Sequence, residues 1–149
     1  MPHFGLMDEG NMTREDAALM RSKLHWRCGR RRLYERKTRS ALATLYDALL
    51  SAMRWRILTT DLRRGLGPEQ DEALENERIV LSILRKAGIL DGTFDLPGFE
   101  ELVDQALVSE KEMELDYEAT IGPLEKIMTR LGVLPFDEAE LPPERPGTY

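Results

Sequence analysis

Most of the residues able to do chemistry fall in one stretch. The segment KLHWRCGRRRLYERKTR, Lys23 to Arg39, carries eight Lys and Arg, His25, the lone cysteine Cys28, Trp26 and a single acid, Glu35. Three uses follow from those residue types. A histidine and a cysteine three apart on a helix can share a metal. Aromatic rings among arginines suit single-stranded nucleic acid. A basic segment in a chain of net charge -6 can also face the chain's own acids.

The metal reading lacks ligands. A zinc site takes four protein ligands, or three and a water. The only other histidine is His3, in an N-terminal tail, and there is no second cysteine. Nucleophilic use of Cys28 has one point in its favour, since cationic neighbours lower a thiol pKa. The apolar spacing puts Cys28 on the inward face, however, where free cysteines are inert. Cys28 is therefore expected in the core, with His25 at its edge.

The acids offer no better site. Glu110, Glu112, Glu114, Asp116 and Glu118 alternate, which spreads them around a helix instead of pairing them. The run DGTFDLPGFEE, 91–101, resembles a calcium loop only in part. Leu96 stands where that loop needs glycine, and Leu102 where it needs a bidentate acid. No glycine-rich phosphate-binding motif is present. The expectation is a non-enzymatic chain with no catalytic residue, no cofactor and no metal.

That leaves Arg27, Arg30, Arg31, Arg32, Arg36 and Arg39 as a candidate surface for nucleic acid or a protein partner. Trp26, Tyr34 and Trp55 interleave with these arginines, with Arg54 and with Arg56, which is the pattern of stacking and phosphate contact. The charge distribution favours another use. Residues 14–64 hold 14 Lys and Arg against 5 Asp and Glu, whereas residues 65–149 hold 7 against 20. Such asymmetry predicts either a charged partner or two halves that neutralise each other. The second is preferred, with the acids expected to come from residues 69–118.

The elements that must position these residues are helical. Thr13 reads as an N-cap, with Glu15 and Asp16 at the positive end of the helix dipole. Ala17, Met20, Leu24 and Cys28 then recur at helical spacing, predicting a helix over 14–36. Gly29 weakens that helix by about 1 kcal/mol unless another backbone approaches there. After a short link at Lys37-Thr38, Leu42, Leu45, Leu49, Met53 and Ile57 form the stripe of a second helix, to about Thr60. Ala41, Ala48, Ala52 and Trp55 widen the stripe, so this helix packs against several neighbours. LRRGLGP breaks the chain, and Pro68 with its flanking acids predicts a third helix running to Gly88. Its inward set is Ala73, Val80, Ile83, Leu84 and Ala87.

Asp95 caps a helix over 96–108 that buries Phe99, Leu102, Val103, Ala106 and Leu107. SEKEMELDYE reads as an acidic connector. The last helix spans about 117–131, with Ile121, Leu124, Ile127, Met128 and Leu131 inward. Pro123 implies a kink, or a start near Ile121. ILRKAGILD and IMTRLGVLP share one design of helix ending. The tail PFDEAELPPERPGTY is a strap or disordered, with Phe136, Leu141 and Tyr149 as its anchors.

The hairpin formed by the first two helices resembles a tetratricopeptide-type unit. Gly29 stands at the small position of its first helix, and Ala41, Leu45 and Ala48 follow at the family's spacing on its second. The match spans about 34 residues and lacks the family's proline after the second helix. SALATLYDALLSAMRWRIL also resembles the second helix of HEPN-type bundles, some of which cleave RNA. Active members carry Arg and His with four to six residues between them, but Arg21 and His25 have only three between. Both resemblances imply helical binding modules without catalysis.

The chain is accordingly expected to be a single all-α domain over 1–149, a bundle of about five helices. Its parts are a basic hairpin at 14–60, an acidic half at 68–131, and extended tails at 1–12 and 135–149. No apolar run reaches a membrane span and MPHFGLMDEGNM lacks the features of a signal peptide. A lone cysteine gives no internal disulfide, so a cytoplasmic setting is expected. The expected function is protein–protein binding or oligomerisation, with a protein partner or a homodimer; the alternative is RNA or DNA binding by the first hairpin.

Overall fold

The computed structural model describes residues 1–66 and 70–146. These residues form an all-α bundle, with no strand among them. Helix α1 covers Arg14–Tyr34 and α2 covers Thr38–Leu58. The two pack along their whole length as an antiparallel hairpin. Thr13 caps α1, its Oγ1 accepting from the Asp16 N–H at 3.1 Å. The α1–α2 turn places Arg36 at φ 64°, the left-handed position that closes a helix end, and Lys37 N–H reaches the Arg32 carbonyl at 2.9 Å. Gly29 is where the two helices touch. A Cβ there would stand 2.7 Å from Leu45 Cγ, so only glycine admits this approach.

A short 3-10 helix at Asp61–Leu66 follows α2. The expected third helix is two helices, α3 at Gln70–Glu75 and α4 at Glu77–Lys86. Asn76 divides them. Its backbone is extended and its side-chain oxygen accepts from Arg78 N–H and Ile79 N–H at 3.0 and 3.2 Å. An N-cap is a better place for asparagine than a helix interior, and the chain bends there. The expected start at Pro68 and the acid at Glu69 lie outside the described residues.

Helix α5 covers Leu96–Val108, capped by Asp95 as its sequence implies. Helix α6 covers Tyr117–Arg130 and runs unbroken through Pro123, capped by Asp116, whose carboxylate accepts from the Ala119 N–H at 2.8 Å. Helices α4 and α6 end alike. Gly88 and Gly132 take φ 76° and 89°, and the next two N–H groups turn back to Leu84 and Met128 carbonyls.

The core centres on α2. Leu42, Leu45, Leu49, Met53 and Ile57 are all sealed from solvent, with α4, α5 and α6 as well as α1 packed against α2. Ile121, Leu124, Ile127, Met128 and Leu131 are buried as expected. Two members of the expected core are exposed, Ala87 and Leu107. The inward face of α5 is set by Phe99, Val103 and Ala106, and Leu107 is one helical step beyond it. No described helix is long and apolar enough to cross a membrane.

Candidate partner-binding surface

Four of the six arginines singled out in the sequence are held by the chain itself. Arg30 pairs with Glu138 and lies over the Trp26 ring, 5.8 Å from its centroid. Arg31 bridges Glu35 and Glu144, its Nε donating to Glu144 at 2.7 Å. Arg32 donates to Thr44 Oγ1 at 2.7 Å. Arg39 closes the far end of the bundle, donating to the Ala106 and Ser109 carbonyls while its own N–H donates to Glu112. Arg27 and Arg36 differ. Arg27 buries Nε and Nη2 without a hydrogen-bond partner. Arg36 is exposed at the α1–α2 turn.

The source of the matching acids corrects the expected one. Residues 69–118 supply Glu75, 3.9 Å from Arg54, and Glu112 on the Arg39 backbone. On α1, Arg30 and Arg31 find acids instead in the C-terminal tail, at Glu138 and Glu144. That tail is a strap. Phe136 lies under the Lys23 ammonium, Leu141 is buried, and Arg145 donates to the Gly5 carbonyl at 2.9 Å. Phe136 and Leu141 are thus anchors as expected, whereas Tyr149 lies outside the described residues.

His25 is not at the edge of the core but fully inside it. The N-terminal segment folds back so that His3, also buried, meets it: His3 Nδ1 and His25 Nε2 are 3.0 Å apart. On its other side His25 Nδ1 lies 3.3 Å from Asp47 Oδ1, near enough to pair but without hydrogen-bond alignment. Arg21 clamps Asp47 with two bonds, at 2.8 and 2.6 Å. Burial pushes the Asp47 carboxyl up, and the Arg21 bonds, with His25, outweigh it and hold the carboxyl below the ordinary range. Burial pulls His25 down to about 4. This linked set of His3, His25, Asp47 and Arg21 was missed in the sequence. The one local signal was a polar stripe on α2, Ser40, Thr44, Asp47 and Ser51 at helical spacing.

Cys28 is buried, and burial raises its thiol pKa, with the opposing effect of Arg32 and Arg31 smaller. Burial thus makes the thiolate harder to form. Asp91 pairs with Arg130 at 3.3 Å and Asp95 caps α5, so the 91–101 loop uses its acids for structure. Among the described residues no three His, Cys, Asp or Glu side chains gather as metal ligands do.

A groove lies between the C-terminal half of α4, the turn at 91–94 and α6. Its volume is about 240 Å³. Leu90, Phe94 and Ile127 line its apolar part, and Arg85, Lys126 and Arg130 line its polar part. Arg130 is fixed there, its Nε donating to the Ile89 carbonyl at 3.0 Å. Comparison of the chain with protein-family models, curated proteins and solved structures found no match. What this protein does is therefore read from its surfaces, and in the groove Arg85 and Lys126 stand beside apolar side chains without an ion pair from the described residues.

Proposed function

We propose that the chain is a non-enzymatic helical module that binds another protein. The groove of α4 and α6 carries this reading. Its volume, about 240 Å³, suits one or two side chains of a partner. The buried, up-shifted thiol of Cys28 also counts against nucleophilic chemistry. The resemblances of the first hairpin to tetratricopeptide and HEPN-type units point the same way.

The second reading, nucleic-acid binding by the first hairpin, is favoured by the exposed Arg36. The tail acids on Arg30 and Arg31 oppose it, because a polyanion would have to displace them.

A photo-crosslinking residue placed singly at Arg36, Val108 and Lys126 in the full chain, in the cells that make it, separates the two. Discrete protein adducts from position 108 or 126 support the module. Adducts to nucleic acid alone, from position 36, overturn it. So would protein purified at low salt with the ultraviolet absorbance ratio of a nucleoprotein.

A further inference from the structure

We infer that the α4–α6 groove docks an acidic peptide segment carrying an apolar anchor residue, supplied by a partner protein; this rests on the interaction reading above. The argument is one of charge. Residues 65–149 hold 7 Lys and Arg among 20 Asp and Glu, and three of those seven line this single groove. In so acidic a region a cation has many carboxylates available to it. Arg85 and Lys126 engage none: neither makes an ion pair or side-chain hydrogen bond among the described residues.

Their sequence positions explain why. On a helix, a charged residue reaches partners three and four positions away. Around Arg85 those are Leu81, Ser82, Gly88 and Ile89. Around Lys126 they are Gly122, Pro123, Thr129 and Arg130. None is acidic. The lining has one carboxylate, Asp91, and it already accepts from Arg130, from Thr93 N–H and from Thr93 Oγ1. The groove therefore presents two unpartnered cations beside apolar Leu90, Phe94 and Ile127.

The chain shows the complementary chemistry inside itself. Its connector SEKEMELD alternates acids with Met113 and Leu115. Those two side chains pack on the core while Glu112 accepts from the Arg39 N–H at 2.9 Å. A segment of that alternating kind satisfies both features of the groove, with carboxylates on Arg85 and Lys126 and an apolar side chain between Leu90 and Phe94. Glu100, Glu101 and Asp104 line a neighbouring groove that Arg85 also borders, yet none of them pairs with it. Charges more than ~8 Å apart are largely screened at physiological salt.

The test uses the full chain and a fluorescein-labelled peptide in which Glu alternates with Leu, followed by fluorescence anisotropy. Saturable binding is expected, weakening with added salt. Arg85→Glu with Lys126→Glu should weaken it about tenfold or more. Both residues are exposed, so a circular dichroism spectrum like the parent's should show the fold retained. Pro123→Glu is a second variant, placing a carboxylate at the groove while restoring a helical N–H, and it should weaken binding too. A Glu–Ser peptide should bind far more weakly than the Glu–Leu one. No saturable binding, equal binding by the charge-reversed chain, or equal binding of the Glu–Ser peptide each overturns the inference. So does an oligonucleotide that binds more tightly than the peptide and is lost in the same variants. A partner adduct from position 108 with no peptide binding would end this inference while leaving the module reading intact.

Discussion

His3 Nδ1 and His25 Nε2 meet at 3.0 Å across 22 residues of sequence, with their rings stacked 5.2 Å apart between centroids. Only one of the two facing nitrogens carries a proton in that bond. Asp47 facing His25 Nδ1 assigns the ring proton to Nδ1, so Nε2 accepts and His3 Nδ1 donates. A proton entering from outside has one place that keeps the bond, His3 Nε2, which faces Glu9 at 3.8 Å. A second proton would set two N–H groups against each other.

The first prediction is a loss of stability in mild acid. Burial lowers both histidines, Arg21 adds to the effect, and Asp47 opposes it. A base with a depressed folded pKa binds fewer protons folded than unfolded. Its contribution is complete above the unfolded value of 6.5 and is lost as the pH falls towards about 4. For His25 that range is worth roughly 3 kcal/mol. The depressed carboxyls of Asp47 and Glu15 act lower, at and below their ordinary range near pH ~4. Urea unfolding followed from pH 7.5 to 4.5 should show a midpoint falling with pH, and His25→Gln should flatten the trend. An unchanged midpoint over that interval would sink the buried-pair assignment.

The second prediction concerns the contact between α1 and α2. By helix propensity alone Gly29→Ala should gain about 1 kcal/mol. The added Cβ would meet Leu45 Cγ and Cδ2 at 2.7 Å, with the Leu45 backbone nitrogen at 3.2 Å. Leu45 is fully buried, so its side chain has no free space to swing into, and its backbone nitrogen moves only with the helix. Overpacking of this kind costs about 1–3 kcal/mol, so the variant should melt lower than the parent. Leu45→Ala, which opens a cavity costing about 2–5 kcal/mol in the parent, should cost less in the Gly29→Ala chain. A Gly29→Ala protein melting higher than the parent would mean that the helices are not in close contact there.

The helices themselves were largely legible in the sequence, because each carries an apolar stripe with a local start or stop signal. Asp95 before α5 and the paired Gly88 and Gly132 endings required no knowledge of distant residues. The failures are of two kinds. Asn76 sits in an acidic, periodic run where a polar residue reads as helix surface, and only its cap geometry reveals the break. The candidate site was less legible because its partners are far apart in sequence. Arg30 and Glu138 are separated by 108 residues and Arg31 and Glu144 by 113. The composition of the halves implied that the basic face would be neutralised, but no local pattern says which acids do it. The groove cations, by contrast, could have been found as bases lacking an acid at three- or four-residue spacing.

The third prediction follows from that break. Asn76 supplies the side-chain acceptor for the first turn of α4. Asn76→Ala removes the bonds to Arg78 N–H and Ile79 N–H and should cost about 0.5–2 kcal/mol. Asn76→Asp keeps an acceptor and adds charge at the helix N-terminus, and should be neutral or stabilising. Thermal melts of the two variants, one below the parent and one not, check the cap. Were α3 and α4 one continuous helix, alanine would instead raise the melting temperature.

The last prediction distinguishes the two uses of the basic segment. Replacing Arg30, Arg31 and Arg32 together by Gln removes the guanidinium partners of Glu138 and Glu144. Each partly exposed pair is worth only ~0–1 kcal/mol, so the fold should survive with a modestly lower melting temperature. The strap should loosen far more than the bundle, because little apolar surface beyond Phe136 and Leu141 anchors it. A glutamate-specific protease should then cut at Glu138, Glu140 or Glu144 faster in the variant than in the parent, while cleavage within α5 and α6 stays slow. Any weak affinity for single-stranded RNA should be unaffected. If the same arginines served RNA, the outcome would differ in kind. Binding in the parent would fall with salt at a log–log slope near -0.7 per phosphate neutralised, and the triple change would flatten that slope by roughly two to three such units. An unchanged cleavage pattern with a flattened salt slope would transfer the segment from holding the tail to holding a polyanion.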